Sequence, residues 1–364
     1  MTGTTPGPAA TTDPSDEARP ATDDDLSCVA CGVTGPVSKL QLTELMFSTR
    51  ERFGYGRCEA CGTLRIDVVP ADLARHYPDA YFERSRLDPL PNDSRRMILV
   101  NRTLNRPELF GRGRRLANVV RRVWPSLDAA RPPLAFIRKT RLRDFDDPIL
   151  DVGCGLVPRR LLDLKIAGFT ELHGMEPFAD VGAAFRGIPI HRTPLETFPG
   201  PGRWALIVFH HSLEHVEDPF AALQASARLL RPGGVCLVRT PVMGTAMWER
   251  YGASWVELDV PRHLTVFSKS GLDTMAERAG LRPVGITWEA NAWEFVLSEQ
   301  YVRDLGMYEP GSWWVDPENS AFDRAAVEAF QQEAVRLRTE GRSGRAEFLY
   351  ERPSDDAGWL RSRP

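Results

Sequence analysis

Beyond Asp146, short apolar runs alternate with helix-period patterns, and this alternation restricts what the chain can fold into more than any other feature. It specifies an α/β architecture: a parallel sheet with crossover helices on its faces. Ile149–Val152 is the first strand, and Gly153-Cys154-Gly155 leads from it into a helix through Leu161, Leu162 and Leu164 that ends at Gly168. Leu172–Met175 is the second strand, closing on Glu176-Pro177, Ile188–Ile190 the third, Trp204–Phe209 the fourth and Gly234–Arg239 the fifth. A helix from Asp218 to Leu230 separates the last two, and Arg231-Pro232-Gly233-Gly234 reads as its stop and a turn. Another helix runs from Ser270 to Gly280, Leu281–Trp288 is a sixth strand, and Arg345–Tyr350 returns as the last strand after a long helical insertion.

Ligands of such sheets lie outside the carboxyl ends of the strands, where the first βα turn brings them to a helix N-terminus. Gly153 and Gly155 occupy that turn, and Glu176 follows about twenty residues on, where a carboxylate accepts hydrogen bonds from ribose hydroxyls. These residues indicate a nucleoside-containing cofactor without choosing between NAD and S-adenosylmethionine.

Four cysteines form two pairs, Cys28-x-x-Cys31 and Cys58-x-x-Cys61, each followed by a glycine, Gly32 and Gly62. Two intervening residues let one turn aim both sulfurs at one ion, and the glycine takes up a left-handed backbone angle at little cost. Two such turns supply the four thiolates of a closed structural zinc site. Cys154 and Cys236 stand apart and read as small core residues. His76 lies beyond a set that already holds four ligands and reads as a packing or surface residue.

The 364 residues allow two or three domains, and 42% hydrophobic with 26% charged residues is an ordinary globular composition. No apolar run approaches the roughly 20 residues of a membrane span, and the first residues lack the pattern of a signal or transit peptide. A cytoplasmic protein with no membrane attachment is expected. The net charge of −3 hides a basic stretch, Ser94–Arg143, with fourteen Arg or Lys against Glu108 and Asp128. Helices interrupted at Pro107, Pro125 and Pro132-Pro133 are expected there, forming a solvated linker; with no nucleic-acid module beside it, the stretch does not point to nucleic acid as the main partner. The boundaries follow: a disordered tail at 1–26, a zinc-ribbon unit at 27–82, a basic helical linker at 83–146, and the α/β domain at 147–364 with a lid insertion at about 291–344.

Asp151-Val152-Gly153-Cys154-Gly155 resembles the first motif of class I S-adenosylmethionine-dependent methyltransferases, and Met175-Glu176-Pro177 the end of that family's second strand. Leu213-Glu214-His215-Val216-Glu217-Asp218-Pro219 and Leu229-Leu230-Arg231-Pro232-Gly233-Gly234 are similar to the segments around its fourth and fifth strands. Pro261-Arg262-His263-Leu264-Thr265-Val266-Phe267-Ser268 resembles a stretch of one bacterial branch, some members of which carry an N-terminal four-cysteine zinc unit. The resemblance covers about 27–82 and 147–290. It implies a Rossmann-like seven-stranded methyltransferase sheet, S-adenosylmethionine as cofactor, and a small-molecule methyl acceptor (a sugar, glycolipid precursor or secondary metabolite) methylated on O or C. Competing readings are a non-catalytic scaffold and an RNA methyltransferase. The family's third glycine is replaced by Val157, which Pro158 pushes toward extended geometry. A second departure is Ala205, where the family often has Asp at the entry to the fourth strand.

Under this resemblance Asp151, Gly153, Cys154, Gly155, Glu176, Pro177, Thr193, Pro194, Leu195 and His210 contact the cofactor. A hydroxyl or acidic-carbon nucleophile benefits from a base, and histidine has a suitable pKa. His263 ranks first, then His211, then His210. His215 reads as a loop-holding residue, and His173 and His191 as strand residues without companions. Trp248, Tyr251, Trp255 and Trp293 either wall a substrate pocket or pack a lid, which Tyr301, Trp313 and Trp314 would join.

Overall fold

The computed structural model describes residues 26–78, 90, 92–124, 134, 136–180 and 182–354. Residues 1–25 of the expected tail, and Pro125, Pro132 and Pro133, lie outside them. The N-terminal part is built on the cysteine turns. β1 (Leu26–Ser27) and β2 (Thr34–Gly35) pair across the first, while β3 (Val37–Thr43), β4 (Arg52–Cys58) and β5 (Leu64–Ile66) form an antiparallel meander around the second.

Helices α1 (Arg95–Phe110) and α2 (Arg114–Val123) carry the basic stretch. Pro107 does not break α1 as expected. It sits in the last turn, where its missing N–H forfeits a single bond, and Asn105 anchors that turn by donating to the Ala167 carbonyl at 3.0 Å. Nor is the basic charge simply solvated: Arg102 pairs with Asp146 at 3.0 Å, Arg106 with Asp144 at 3.2 Å, and Lys139 with Glu347 at 3.3 Å.

The sheet strands are β6 (Ile149–Val152), β7 (Leu172–Met175), β8 (Ala184–Phe185), β9 (Ile188–His191), β10 (Trp204–His210), β11 (Leu230–Met243), β12 (Thr265–Ser268), β13 (Arg282–Glu289) and β14 (Arg345–Glu351). Between them run α3 (Arg159–Ala167), α4 (Pro219–Leu229), α5 (Ala246–Tyr251), α6 (Lys269–Arg278), α7 (Ala292–Val302) and α8 (Arg324–Glu340). Seven strands lie in the order β9-β7-β6-β10-β11-β14-β13, with β14 antiparallel to both neighbours. This is the Rossmann-like methyltransferase sheet that the motifs implied.

Period-two alternation sends Leu150, Ile207, Phe209, Cys236 and Val238 into one core with Leu223 of α4 and Leu272 of α6. The intervening residues Ile149, Leu206, Val208, Val235 and Leu237 enter another with Leu161 and Leu164 of α3. Burial on both faces explains why these strands read as apolar runs. The turn expected at Arg231–Gly234 is instead the first part of β11: Gly233 donates to the Arg352 carbonyl at 2.8 Å and Arg352 to the Gly234 carbonyl at 2.9 Å, so the segment is held like a strand. His173 and His191 do have a companion, each other, with rings stacked and Nδ1 and Nε2 2.9 Å apart.

The far end of β11 pairs with β12, which pairs with β5, so the cysteine meander joins the central sheet edge to edge. A third core seals the junction, combining Leu42, Tyr55 and Leu64 of the meander with Trp255, Leu264, Phe295 and Leu337. Trp255 and Tyr251 are therefore packing residues of this junction. Arg262, 1% exposed, crosses it, donating to Asp259 Oδ1 (2.8 Å), the His76 carbonyl (3.0 Å) and Glu44 Oε1 (3.1 Å). His76 is thus buried packing, edge-on to Phe53. Removing one member of a buried charge network leaves the others unpaired at a cost of about 3–5 kcal/mol. Arg262→Ala is expected to lower the unfolding free energy by that amount in urea titration, and a loss below about 1 kcal/mol would contradict the bridging role. Among the described residues, no helix is long and apolar enough to cross a membrane.

Candidate active site

Gly153 and Gly155 both adopt positive φ, 73° and 75°, which turns the chain sharply from β6 toward α3. A side chain at Gly153 would strike Ser212, its Cβ lying 2.5 Å from the Ser212 Cβ, whereas one at Gly155 would project into open space. That space is a cradle a ligand can fill. Val157 is not among the residues with positive φ, so the loop takes its valine without strain, and Pro158 stands at the N-cap of α3.

Glu176, 6% exposed, reaches back to this loop, where Oε2 accepts from the Gly155 amide at 3.0 Å and Oε1 from the Phe178 amide at 3.1 Å. Burial raises its pKa and these two amides oppose the rise. Asp151 is 3% exposed, and burial pushes its carboxyl up to about 6 against the pull of Arg160. Cys154 turns its thiol back toward the Gly155 carbonyl, and burial raises its pKa. Thr193 and Pro194 are exposed at the end of β9, as is Pro177 after β7, while Leu195 packs in the core.

Three histidines gather beyond the end of β10. His263, 5% exposed, has Nδ1 2.8 Å from the Glu257 carbonyl, an acceptor only, so Nδ1 carries the hydrogen and Nε2 presents a lone pair. Nε2 lies 3.9 Å from Glu214 Oε1 and 3.8 Å from Asp259 Oδ2. His215 faces it edge-on at 4.7 Å, with its own Nδ1 2.8 Å from the Arg262 carbonyl. His211, at φ 53°, places Nδ1 3.3 Å from Glu214 Oε1. Burial alone would raise the Glu214 pKa; the nearby imidazole of His211, and His263, His211 and His215 when protonated, bring it down to about 2. Glu214 is fully buried, and neither of its carboxylate oxygens has a hydrogen-bond partner among the described residues.

His210 points elsewhere, with its Nε2 taken by the Arg239 guanidinium. Burial and nearby Arg160 hold its pKa well below the usual value, so it stays neutral and its acceptor nitrogen is occupied. His263, His211 and His215 line a cavity of about 230 Å³ together with Asp259, Met46 and Trp293. Glu214, His215, Asp259 and Met46 are additions to the residues expected from sequence; for the first two the signal was present in the Leu213–Pro219 motif.

In the N-terminal unit, Cys28 and Cys61 sulfurs are 3.7 Å apart and Cys31 and Cys58 sulfurs 3.8 Å, all four lying within 4.8 Å of one another. A tetrahedron with the ~2.3 Å metal–sulfur bonds of zinc has edges of about 3.8 Å, so the spacing fits. Gly32 and Gly62, at φ 75° and 79°, donate to the Cys28 and Cys58 carbonyls at 2.8 and 2.7 Å and close both turns.

Residues 111–285 match a family model described as a methyltransferase domain. A ubiquinone biosynthesis O-methyltransferase of Bordetella pertussis is 30% identical over 174 residues, 42% of this chain and 69% of the relative. One of Cereibacter sphaeroides is 29% identical over 175 residues, 44% of this chain and 70% of the relative. The crystal structure of an S-adenosylmethionine-dependent methyltransferase from Archaeoglobus fulgidus is 14% identical with a TM-score of 0.38, covering 57% of this chain and 86% of that one. With the strand order, the glycine turn and the acid after the second strand in place, the chain belongs to the class I S-adenosylmethionine-dependent methyltransferases.

Proposed function

We propose that this enzyme methylates an oxygen of a small molecule bound in the cavity beneath His263. The observation that carries the reading is His263 itself, a lining residue of that cavity whose Nδ1 is held by the Glu257 carbonyl, leaving Nε2 without a hydrogen bond. Two relatives named O-methyltransferases support oxygen as the acceptor atom. When bound, S-adenosylmethionine supplies an electrophilic methyl group. The chain's part is to hold the acceptor oxygen in line with it, exclude water and take up the hydroxyl proton. Glu214 and Asp259, each with a carboxylate oxygen within 4 Å of Nε2, stabilise the imidazolium that forms. His211 stands beside Glu214 as an orienting group. We assign the ribose to Glu176, the methionine part to the Gly153–Gly155 turn with Asp151 beneath it, and the adenine edge to Thr193, Pro194 and Leu195.

We also propose zinc at Cys28, Cys31, Cys58 and Cys61, in a unit spanning about 27–82. With all four positions filled by thiolate, it braces the meander and leaves no open position for chemistry.

Calorimetric titration with S-adenosylhomocysteine tests the cofactor assignment. Micromolar affinity is expected, weakened at least tenfold, about 1.4 kcal/mol, by Glu176→Ala with the melting temperature kept. Undiminished affinity in the variant would remove Glu176 from the site. No binding by the intact chain would overturn the assignment as a whole.

A further inference from the structure

A second cavity, of about 530 Å³, opens beside the histidine cavity and is lined by Arg239, Arg338 and Arg345 with Trp288, Asn291 and a single acid, Glu289, among others. Arg345 borders both cavities. It is 5% exposed, lies 4.9 Å over the Trp293 ring, and keeps a buried Nε without a hydrogen-bond partner, since Glu257 Oε1 at 3.3 Å is out of line. Arg239 holds His210 and Glu289 with its terminal nitrogens, and its Nε is also buried and unpartnered.

The cavity also receives the start of α7, an eleven-residue helix whose N-cap residue Asn291 makes no side-chain cap bond and has an unpartnered Oδ1. Three guanidinium groups and the start of α7 border the cavity, with Glu289 paired to Arg239, Glu257 3.3 Å from Arg345 Nε and Glu294 in the first turn of α7. Buried donors without partners are costly and are satisfied by an acceptor from outside. Guanidinium groups and helix N-termini converge in this way on phosphate, whose several oxygens accept from more than one fork. Asn291 is placed to accept from a hydroxyl beside it.

We propose that the methyl acceptor is phosphorylated, its phosphate held by Arg239, Arg338 and Arg345 while its reacting oxygen reaches past Arg345 to His263. This rests on the methyltransferase reading of the histidine cavity. It restricts the acceptor to molecules with a phosphate or diphosphate at one end and a nucleophilic oxygen at the other.

The test uses the full chain and inorganic pyrophosphate, read by tryptophan fluorescence. Trp288→Phe assigns the signal among the nine tryptophans. A saturable change is expected, weakened at least tenfold by Arg338→Gln, an exposed position, and by Arg345→Lys, which keeps the charge and loses the fork. Neither variant is expected to alter S-adenosylhomocysteine affinity. No saturable response, or one that both variants leave unchanged, overturns the proposal. So does competition between pyrophosphate and S-adenosylhomocysteine, which would put the anion in the cofactor cleft. Equal binding of malonate would overturn the preference for phosphate. Pyrophosphate binding with no S-adenosylhomocysteine binding would keep the anion site and remove its role toward a methyl acceptor, so the two readings fail separately.

Discussion

Replacing His263 by Gln is expected to slow methyl transfer by roughly 10²–10⁴-fold, the range that a positioned general base contributes. S-adenosylhomocysteine affinity should stay the same, because the residues proposed to hold the cofactor, Gly153, Gly155 and Glu176, are not among those lining the cavity with His263. A rate within about threefold of wild type would move the base to His211 or remove it. His210 is not a substitute, because Arg239 already occupies its Nε2.

The second large effect is expected from loss of the metal. Structural zinc contributes apparent folding free energies of about 10–16 kcal/mol in small isolated units, and here the four cysteines sit in the turns between β1 and β2 and between β4 and β5. Cys58→Ser, or prolonged chelation, should release one zinc per chain by elemental analysis and unfold the meander. The β5–β12 pairing and the wall supplied by Met46 should go with it. Acceptor turnover should collapse while S-adenosylhomocysteine binding persists, since the residues assigned to the cofactor lie between Asp151 and Leu195. A chain isolated without bound metal and with unchanged thermal stability would contradict the zinc assignment.

The parts of this molecule that are legible in sequence are those where burial imposes a simple period. Ile149–Val152, Leu172–Met175 and Trp204–Phe209 could be placed because both sheet faces are covered, so Trp204–Phe209 is apolar throughout and the other two runs are broken only by Asp151 and His173. Gly153, Gly155 and Glu176 were visible because one short segment brings them together through a turn whose backbone angles need glycine. The junction between β5 and β12 was not visible. Three- and four-residue strands leave no periodic signal, and their pairing joins residues about 200 positions apart. The cavity proposed for the acceptor has the same origin: Met46, His211, His263 and Arg345 come from four separate segments. The basic stretch shows how a charge count can mislead, because its partners Asp144, Asp146 and Glu347 lie beyond its boundary.

The most direct test of the central claim is a crystal structure with S-adenosylhomocysteine bound. The account predicts the ribose diol on Glu176, the methionine part against Gly155, and the sulfur at the mouth of the cavity lined by His211 and His263, close enough that a methyl group there would lie about 3 Å from an acceptor oxygen. A sulfur directed away from that cavity, or an adenosyl group seated outside the Gly153–Gly155 turn, would contradict it.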